Sequence, residues 1–493
     1  MDVGDPVVRT GGGSVRGRIE DGIAVFRGIP YAQPPAGPLR FAAPQPAVPW
    51  DGVRDATAFG PPPPQSGLMP LLLPEPAPGA DPQDWLTVNV WSPDLGVRQG
   101  LPVMVWIYGG AYRYGASGQA SYDGTQLAKQ GVVLVTFNHR IGVEGFAHLP
   151  GAPANRGLLD DVAALRWVRE NIAQFGGDPE CVTVFGQSAG AGAVASLLVM
   201  PAAAGLFRRA IAQSLSGTFF SPALAAEVTA SIAAQAGLPV TLEAFTAASS
   251  DVLTSAADAV STRDHPEWGV AAYCGVTFSP VVDGEVVPAA PWQALAAGAA
   301  RDVDLLTGHT RDEYRLFMEF ESLRGRVTEE MATEALDGIL HDGNRLYRVA
   351  YPDAGPEELY ELVYSDWLFR MPSLHLAQAH AVAGGRTYLY ELRNEGPLGA
   401  CHGADVPLVF GTYREMGEFL YGSPPSESTV ALGNLLRAEW TEFARSGDPG
   451  WSPYSIGRRL TRSYADQPDV VPYPEHASMH LWDQRRLGVT GLP

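Results

Sequence analysis

Cysteine is scarce: Cys181, Cys274 and Cys401 are the only three in 493 residues. The odd count and the lack of any C-x-x-C spacing exclude a disulfide framework and a zinc site. Lysine is scarcer still, Lys129 being the single one, and acidic residues outnumber Lys and Arg 54 to 34, for a net charge of −20 and a pI near 4.9. So acidic a chain is not drawn to nucleic acid or to an anionic membrane, and neither is an expected partner. No apolar run is long enough to cross a bilayer, because prolines, glycines or charges interrupt each one. The first thirty residues also lack the basic start and apolar core of a signal peptide. The expectation is a soluble cytoplasmic protein, monomer or homo-oligomer.

What the chain does have is apolar residues in quantity, 46% of the total, enough for a large buried core. From Leu101 onward, short β-branched runs alternate with helical patterns. "LPVMVWIYGG", "GVVLVTFNHR", "CVTVFG", "LFRRAIAQS", "VDLLTGHTRDE" and "TYLYELR" read as strands. Between them, "GLLDDVAALRWVRENIAQFGGDP" places Leu158, Val162, Leu165, Val168, Ile172 and Phe175 on one helical face and stops at Gly176-Gly177. Near the end, "ALGNLLRAEWTEFARSGDP" is an amphipathic helix that closes at Gly447. Such alternation predicts an α/β fold with a mainly parallel central sheet flanked by helices. The proline-rich stretch from Pro61 to Asp84 reads as a surface loop, and roughly 224–340 reads as a helical insertion capping a site.

The chemistry concentrates in "VTVFGQSAGAG". Ser188 stands between Gly186 and Gly190 where a strand pattern turns into a helix pattern. A free hydroxyl is a poor nucleophile, so it needs a base for its proton and donors for the oxyanion it creates. A strand–turn–helix corner lifts the hydroxyl above the sheet and aims the helix N–H groups at the reacting oxygen. A second small-residue corner, "WIYGGAY", offers Gly110 and Ala111 as oxyanion donors beside the N–H of Ala189.

The base has to be a histidine, and His402, His309 and His139 lie near strand ends. His402, in "GPLGACHGADVPLVFG", lies in a small-residue loop after the strand "TYLYELR", a plausible place from which to reach Ser188, with His309 and His139 as competitors. The acid that orients it lies in "TGHTRDEYRLF", where Asp312 and Glu313 stand side by side and spacing does not choose between them. Tyr112, Tyr114, Phe219, Phe220 and Phe317 fall beside these motifs as candidate walls of an apolar substrate pocket.

The chain resembles the type-B carboxylesterases, the group of cholinesterases and bacterial p-nitrobenzyl esterases. The matching stretches include "FRGIPYAQPPAGPLRF", "VMVWIYGGAY", "NRGLLDDVAALRWVRENIAQFGGDPECVTVFGQSAG", "GHTRDEYRLF", "CHGADVPLVFG" and "WTEFARSGDP", in the family's order and over nearly the whole chain. The resemblance implies a single α/β-hydrolase domain over 1–493 and a Ser188–Glu313–His402 triad, with Ser214 supporting it. It implies hydrolysis of small or aromatic esters through an acyl-enzyme, with no cofactor and no metal. Acyl transfer by the same triad and a non-catalytic binding role are the alternatives such a family admits. Four departures stand out. Gln187 occupies a position where many members carry glutamate. Ala111 replaces the third glycine of the oxyanion loop, and its methyl argues for φ below zero there. Tyr314 replaces a glycine after Glu313. Trp85 stands where secreted relatives carry a disulfide cysteine. With no aromatic residue between Pro61 and Asp84, choline esters are not expected substrates.

Overall fold

Short Val-, Ile- and Leu-rich runs form the centre of the molecule, as strands buried on both faces require. The computed structural model describes residues 5–66, 73, 79–96, 100–394, 396–414, 416–483, 485 and 487–492, so part of the expected Pro61–Asp84 loop lies outside the described residues. The strands are β1 (Val7–Arg9), β2 (Ser14–Arg16), β3 (Arg18–Glu20), β4 (Ile23–Pro30), β5 (Val53–Asp55), β6 (Thr87–Ser92) and β7 (Leu101–Ile107). They continue with β8 (Val133–Phe137), β9 (Gly177–Gln187), β10 (Arg209–Gln213), β11 (Asp304–Thr310), β12 (Thr387–Leu392), β13 (Leu460–Tyr464) and β14 (Asp469–Pro472).

β1, β2 and β5 make a small separate sheet, and the other strands form one 11-stranded sheet in the order β14-β13-β12-β11-β10-β9-β7-β8-β6-β4-β3. From β8 through β7, β9, β10, β11 and β12 to β13 all neighbours are parallel. The flanks are antiparallel. At one of them the cause is local: Asp21 and Gly22 both take positive φ, the two-residue turn that folds β3 back on β4.

Side chains alternate across the sheet and feed two cores. Val103, Val105 and Ile107 of β7 join Val182 and Val184 of β9 on one face. Met104, Trp106 and Phe185 point to the other, where the Trp106 and Phe185 rings lie 4.8 Å apart. The helix Arg156–Asn171 covers the first face, tightens into a 3-10 turn at Ile172–Phe175 and ends at Gly176, φ 82°. The helix Glu427–Ser446 covers the second, capped by Ser426, which accepts from Thr429 N–H, and closed by Gly447 at φ 78°.

The interval 224–340 is not purely helical. Helices Pro222–Ala236, Leu242–Ala247, Ser250–Ala259 and Pro291–Ala296 precede β11, a strand of the central sheet, and Glu329–Ile339 follows it. Arg40 ties the first group to the body of the fold: its guanidinium pairs with Glu144 at 2.6 Å and donates to the Phe245 and Thr246 carbonyls at the end of Leu242–Ala247.

Candidate active site

β9 lies in the middle of the parallel region and runs straight into Ser188. The serine adopts φ 59°, ψ −124°, and the helix Ala189–Leu197 starts at once behind it. Such a conformation costs an L-residue about 1–3 kcal/mol and persists only where the surroundings enforce it. Here Ser188 N–H donates to Gln213 O of β10 at 2.9 Å, and Gly192 N–H donates back to Ser188 O at 3.0 Å. The flanking glycines are steric necessities. A Cβ on Gly186 would lie 2.6 Å from the Gly190 backbone, and one on Gly190 would lie 2.0 Å from Ile107 O.

β11 ends beside β12, and the loop after it carries Glu313. One carboxylate oxygen accepts from Thr310 N–H at 2.8 Å and the other meets His402 Nδ1 at 2.6 Å. Burial pushes this carboxyl up, but the His402 imidazole, the nearby Ser214 hydroxyl and the Thr310 N–H outweigh it and hold it below the ordinary glutamate range. Ser214 Oγ is itself buried without a well-aligned hydrogen bond. Asp312 points elsewhere. It accepts from Ala400 N–H at 2.9 Å and from the Arg311 guanidinium, locking the Glu313 loop to the His402 loop. The other two histidines are engaged away from Ser188: His309 with Tyr473 and the Thr310 carbonyl, His139 with Asp161 at 3.0 Å and stacked on Tyr108.

With Nδ1–H held by a carboxylate, a neutral imidazole presents a lone pair at Nε2, which can accept a proton. Among the described residues no hydrogen bond joins that nitrogen to Ser188 Oγ, contrary to the sequence expectation. Nε2 instead faces the Gln187 side-chain amide nitrogen at 3.0 Å. The ring packs against Phe369, centroids 4.1 Å apart, and Phe317, 5.2 Å apart, and those two phenyl rings stack on each other at 5.7 Å. Phe369 escaped the sequence reading. It sits on a π-helical turn, Asp366–Arg370, and no residue preference announces that extra residue.

The loop after β7 leaves Gly110 and Ala111 N–H without an acceptor among the described residues, as does Ala189 N–H at the start of its helix. The expectation that Ala111 avoids positive φ is wrong. Ala111 and Tyr112 both take left-handed backbone, φ 54° and 57°, because Arg113 and Tyr114 N–H both close on Gly110 O at 2.9 Å. Tyr314 is accommodated without strain at φ −78°, its ring stacked 4.2 Å from that of Tyr364.

The pocket candidates divide. Phe317 borders the imidazole. Tyr112 and Tyr114, with Gly109 and Ala189, line a narrow cavity behind the oxyanion loop. Phe219 and Phe220 are buried, Phe219 packing edge-on against Trp292 and Phe220 bridging to Val281 and Thr490. Among the described residues no group of three or more His, Cys, Asp or Glu side chains is arranged to hold a metal ion.

The sequence profile of the carboxylesterase family matches residues 4–461. The chain belongs to the carboxylesterase family. It is 37% identical over 473 residues to the para-nitrobenzyl esterase of Bacillus subtilis, covering 92% of this chain and 94% of the relative. It is 34% identical to the fumonisin B1 esterase of Sphingopyxis macrogoltabida, covering 92% and 85%. The crystal structure of a Geobacillus stearothermophilus carboxylesterase superposes with a TM-score of 0.85 at 35% identity, covering 97% of this chain and 99% of that one. The mixed sheet with helices on both faces is therefore the α/β-hydrolase fold, and this carboxylesterase is a carboxylic-ester hydrolase.

Proposed function

We propose that the chain hydrolyses small or aromatic carboxylic esters by two-step acyl transfer, with Ser188 as nucleophile, His402 as general base and acid, and Glu313 as the group that holds the imidazole. The observation that carries this reading is the 2.6 Å contact between Glu313 and His402 Nδ1 beside a serine in strained backbone at the start of a helix. Ser188 Oγ attacks the ester carbonyl as its proton passes to His402 Nε2. Gly110, Ala111 and Ala189 N–H groups receive the oxyanion. His402 then protonates the departing alcohol, and water repeats the cycle on the acyl-enzyme. Glu313 keeps its charge throughout, stabilising the imidazolium without taking its proton.

The names of the relatives support aromatic esters as one substrate class, since one acts on a para-nitrobenzyl ester. The Phe317 and Phe369 rings beside the base supply an apolar surface for such groups. A cytoplasmic location belongs to the same proposal, supported by free thiols at Cys181, Cys274 and Cys401. Among the described residues no helix is long and apolar enough to cross a membrane.

The test is pre-steady-state hydrolysis of p-nitrophenyl acetate. The wild type gives a burst of nitrophenol matching enzyme concentration, and Ser188→Ala gives none. An undiminished burst in that variant overturns the assignment.

A further inference from the structure

We propose that Gln187 is a positioning residue that parks the base: in the resting enzyme its side-chain amide donates to His402 Nε2, and substrate entry exchanges that donor for the Ser188 hydroxyl. The inference rests on the reading that Ser188 and His402 act together.

The tautomer follows from the contacts. Glu313 accepts from Nδ1, so the neutral ring carries its lone pair at Nε2, 3.0 Å from the Gln187 amide nitrogen. An amide N–H fits that lone pair; a carboxylate at position 187 has no proton to give and fits only a protonated ring.

The slot around the amide is built for it. Gln187 is the last residue of β9 and is buried. On one side is Gly109, where a Cβ would meet Gln187 O at 2.7 Å and Oε1 at 3.1 Å. On the other is Gly403, whose Cβ position lies 3.7 Å from Nε2 of Gln187. Gly109 thus leaves the space the Gln187 side chain occupies, and Gly403 of the His402 loop borders it at ordinary contact distance.

Few other charged groups lie near this imidazole. Glu313 faces it from the loop after β11. From the helix Asp405–Phe410, the Asp405 carboxyl is within electrostatic range, tied to Gln213 and Tyr390. Cys401, its chain neighbour, is a neutral thiol pushed up to about 12 by burial. Phe317 and Phe369 pack against the ring and carry no charge.

The experiment is the pH profile of kcat/KM on p-nitrophenyl acetate for the wild type, Q187E and the near-isosteric Q187M, with thermal unfolding of each. The acid limb moves up by roughly one pH unit in Q187E, where the new carboxylate accepts from the imidazolium, and by less in Q187M. Limbs that superimpose in all three proteins overturn the proposal. Should Q187E not fold, Q187M carries the test alone, its limb above that of the wild type or coincident with it. A fluorophosphonate probe run in parallel separates the two readings. Failure to label Ser188 in the wild type sinks the catalytic assignment, whereas labelled Ser188 with unshifted limbs sinks only the role of Gln187.

Discussion

Glu313 and Asp312 are chain neighbours whose carboxylates face opposite ways: Glu313 meets His402 Nδ1 at 2.6 Å, while Asp312 accepts from Ala400 N–H at 2.9 Å. One acts on the ring and the other holds together the two loops that present it. Their removal therefore separates into different measurements. Glu313→Gln leaves the loop in place but offers the ring an amide of the wrong polarity, and kcat falls ~10³- to 10⁴-fold with little change in melting temperature. Asp312→Ala frees a buried N–H and costs about 1–3 kcal/mol in chemical denaturation, with a far smaller loss in kcat. Steady-state kinetics and unfolding on both variants check the split; equal losses of kcat contradict it.

His309 makes the stability of the fold depend on pH. Burial, then the Arg370 charge, push its imidazole down to about 4 from the ordinary 6.5, because the ring is enclosed between Tyr473 and the Thr310 carbonyl. A histidine that is harder to protonate when folded stabilises the protein above the unfolded pKa, and that contribution drains away as pH falls from about 6.5 to about 4. The amount is on the order of 3 kcal/mol. Urea unfolding from pH 7 to pH 4 reads it as falling stability, and His309→Gln flattens that slope. A variant with the wild-type slope rules out this origin.

The elbow, its two glycines and the strands leading to it were legible because their signals are local: a β-branched run, a forced turn and a small-residue helix lie within about twenty residues. The choice between Asp312 and Glu313 was not, since spacing cannot say which of two adjacent side chains a distant Ala400 N–H will capture. The resemblance to relatives chose Glu313. Phe369 was hidden for another reason, because a π-helical turn rotates the following residues out of the α-helical register on which face assignments depend. Phe219 and Phe220 are buried, and an aromatic beside a motif is as well explained by core packing as by a substrate wall. Ala111 showed the limit of propensity: two hydrogen bonds to Gly110 O impose a backbone that alanine alone would avoid.

Gly190 tests how tightly the nucleophile corner is packed. A methyl there would sit 2.0 Å from Ile107 O, a backbone atom of a central strand that has nowhere to go. Gly190→Ala therefore costs at least about 2–3 kcal/mol and takes the burst amplitude with it. Gly205, by contrast, has positive φ, 77°, and nothing lies within 4 Å of its Cβ position, so Gly205→Ala costs only backbone strain, about 1 kcal/mol. Melting curves of the pair check the ordering, and equal losses refute the steric account.

Phe369 and Phe317 both pack against the His402 imidazole, at 4.1 Å and 5.2 Å between centroids. Glu313 holds this ring at Nδ1 and Gln187 meets it at Nε2, and the two phenyl rings limit its swing about those contacts. Phe369→Ala removes the closer wall. It is expected to lower kcat about 10- to 100-fold, because a base that wanders from its attack geometry loses the benefit of being held. The missing ring also leaves a cavity worth about 3–5 kcal/mol of stability. Phe369→Leu restores much of the packing but not the flat face, so it should recover stability more fully than kcat. If both variants lose kcat strictly in proportion to stability, the ring serves the core alone and confinement of the base must come from Gln187 and Glu313.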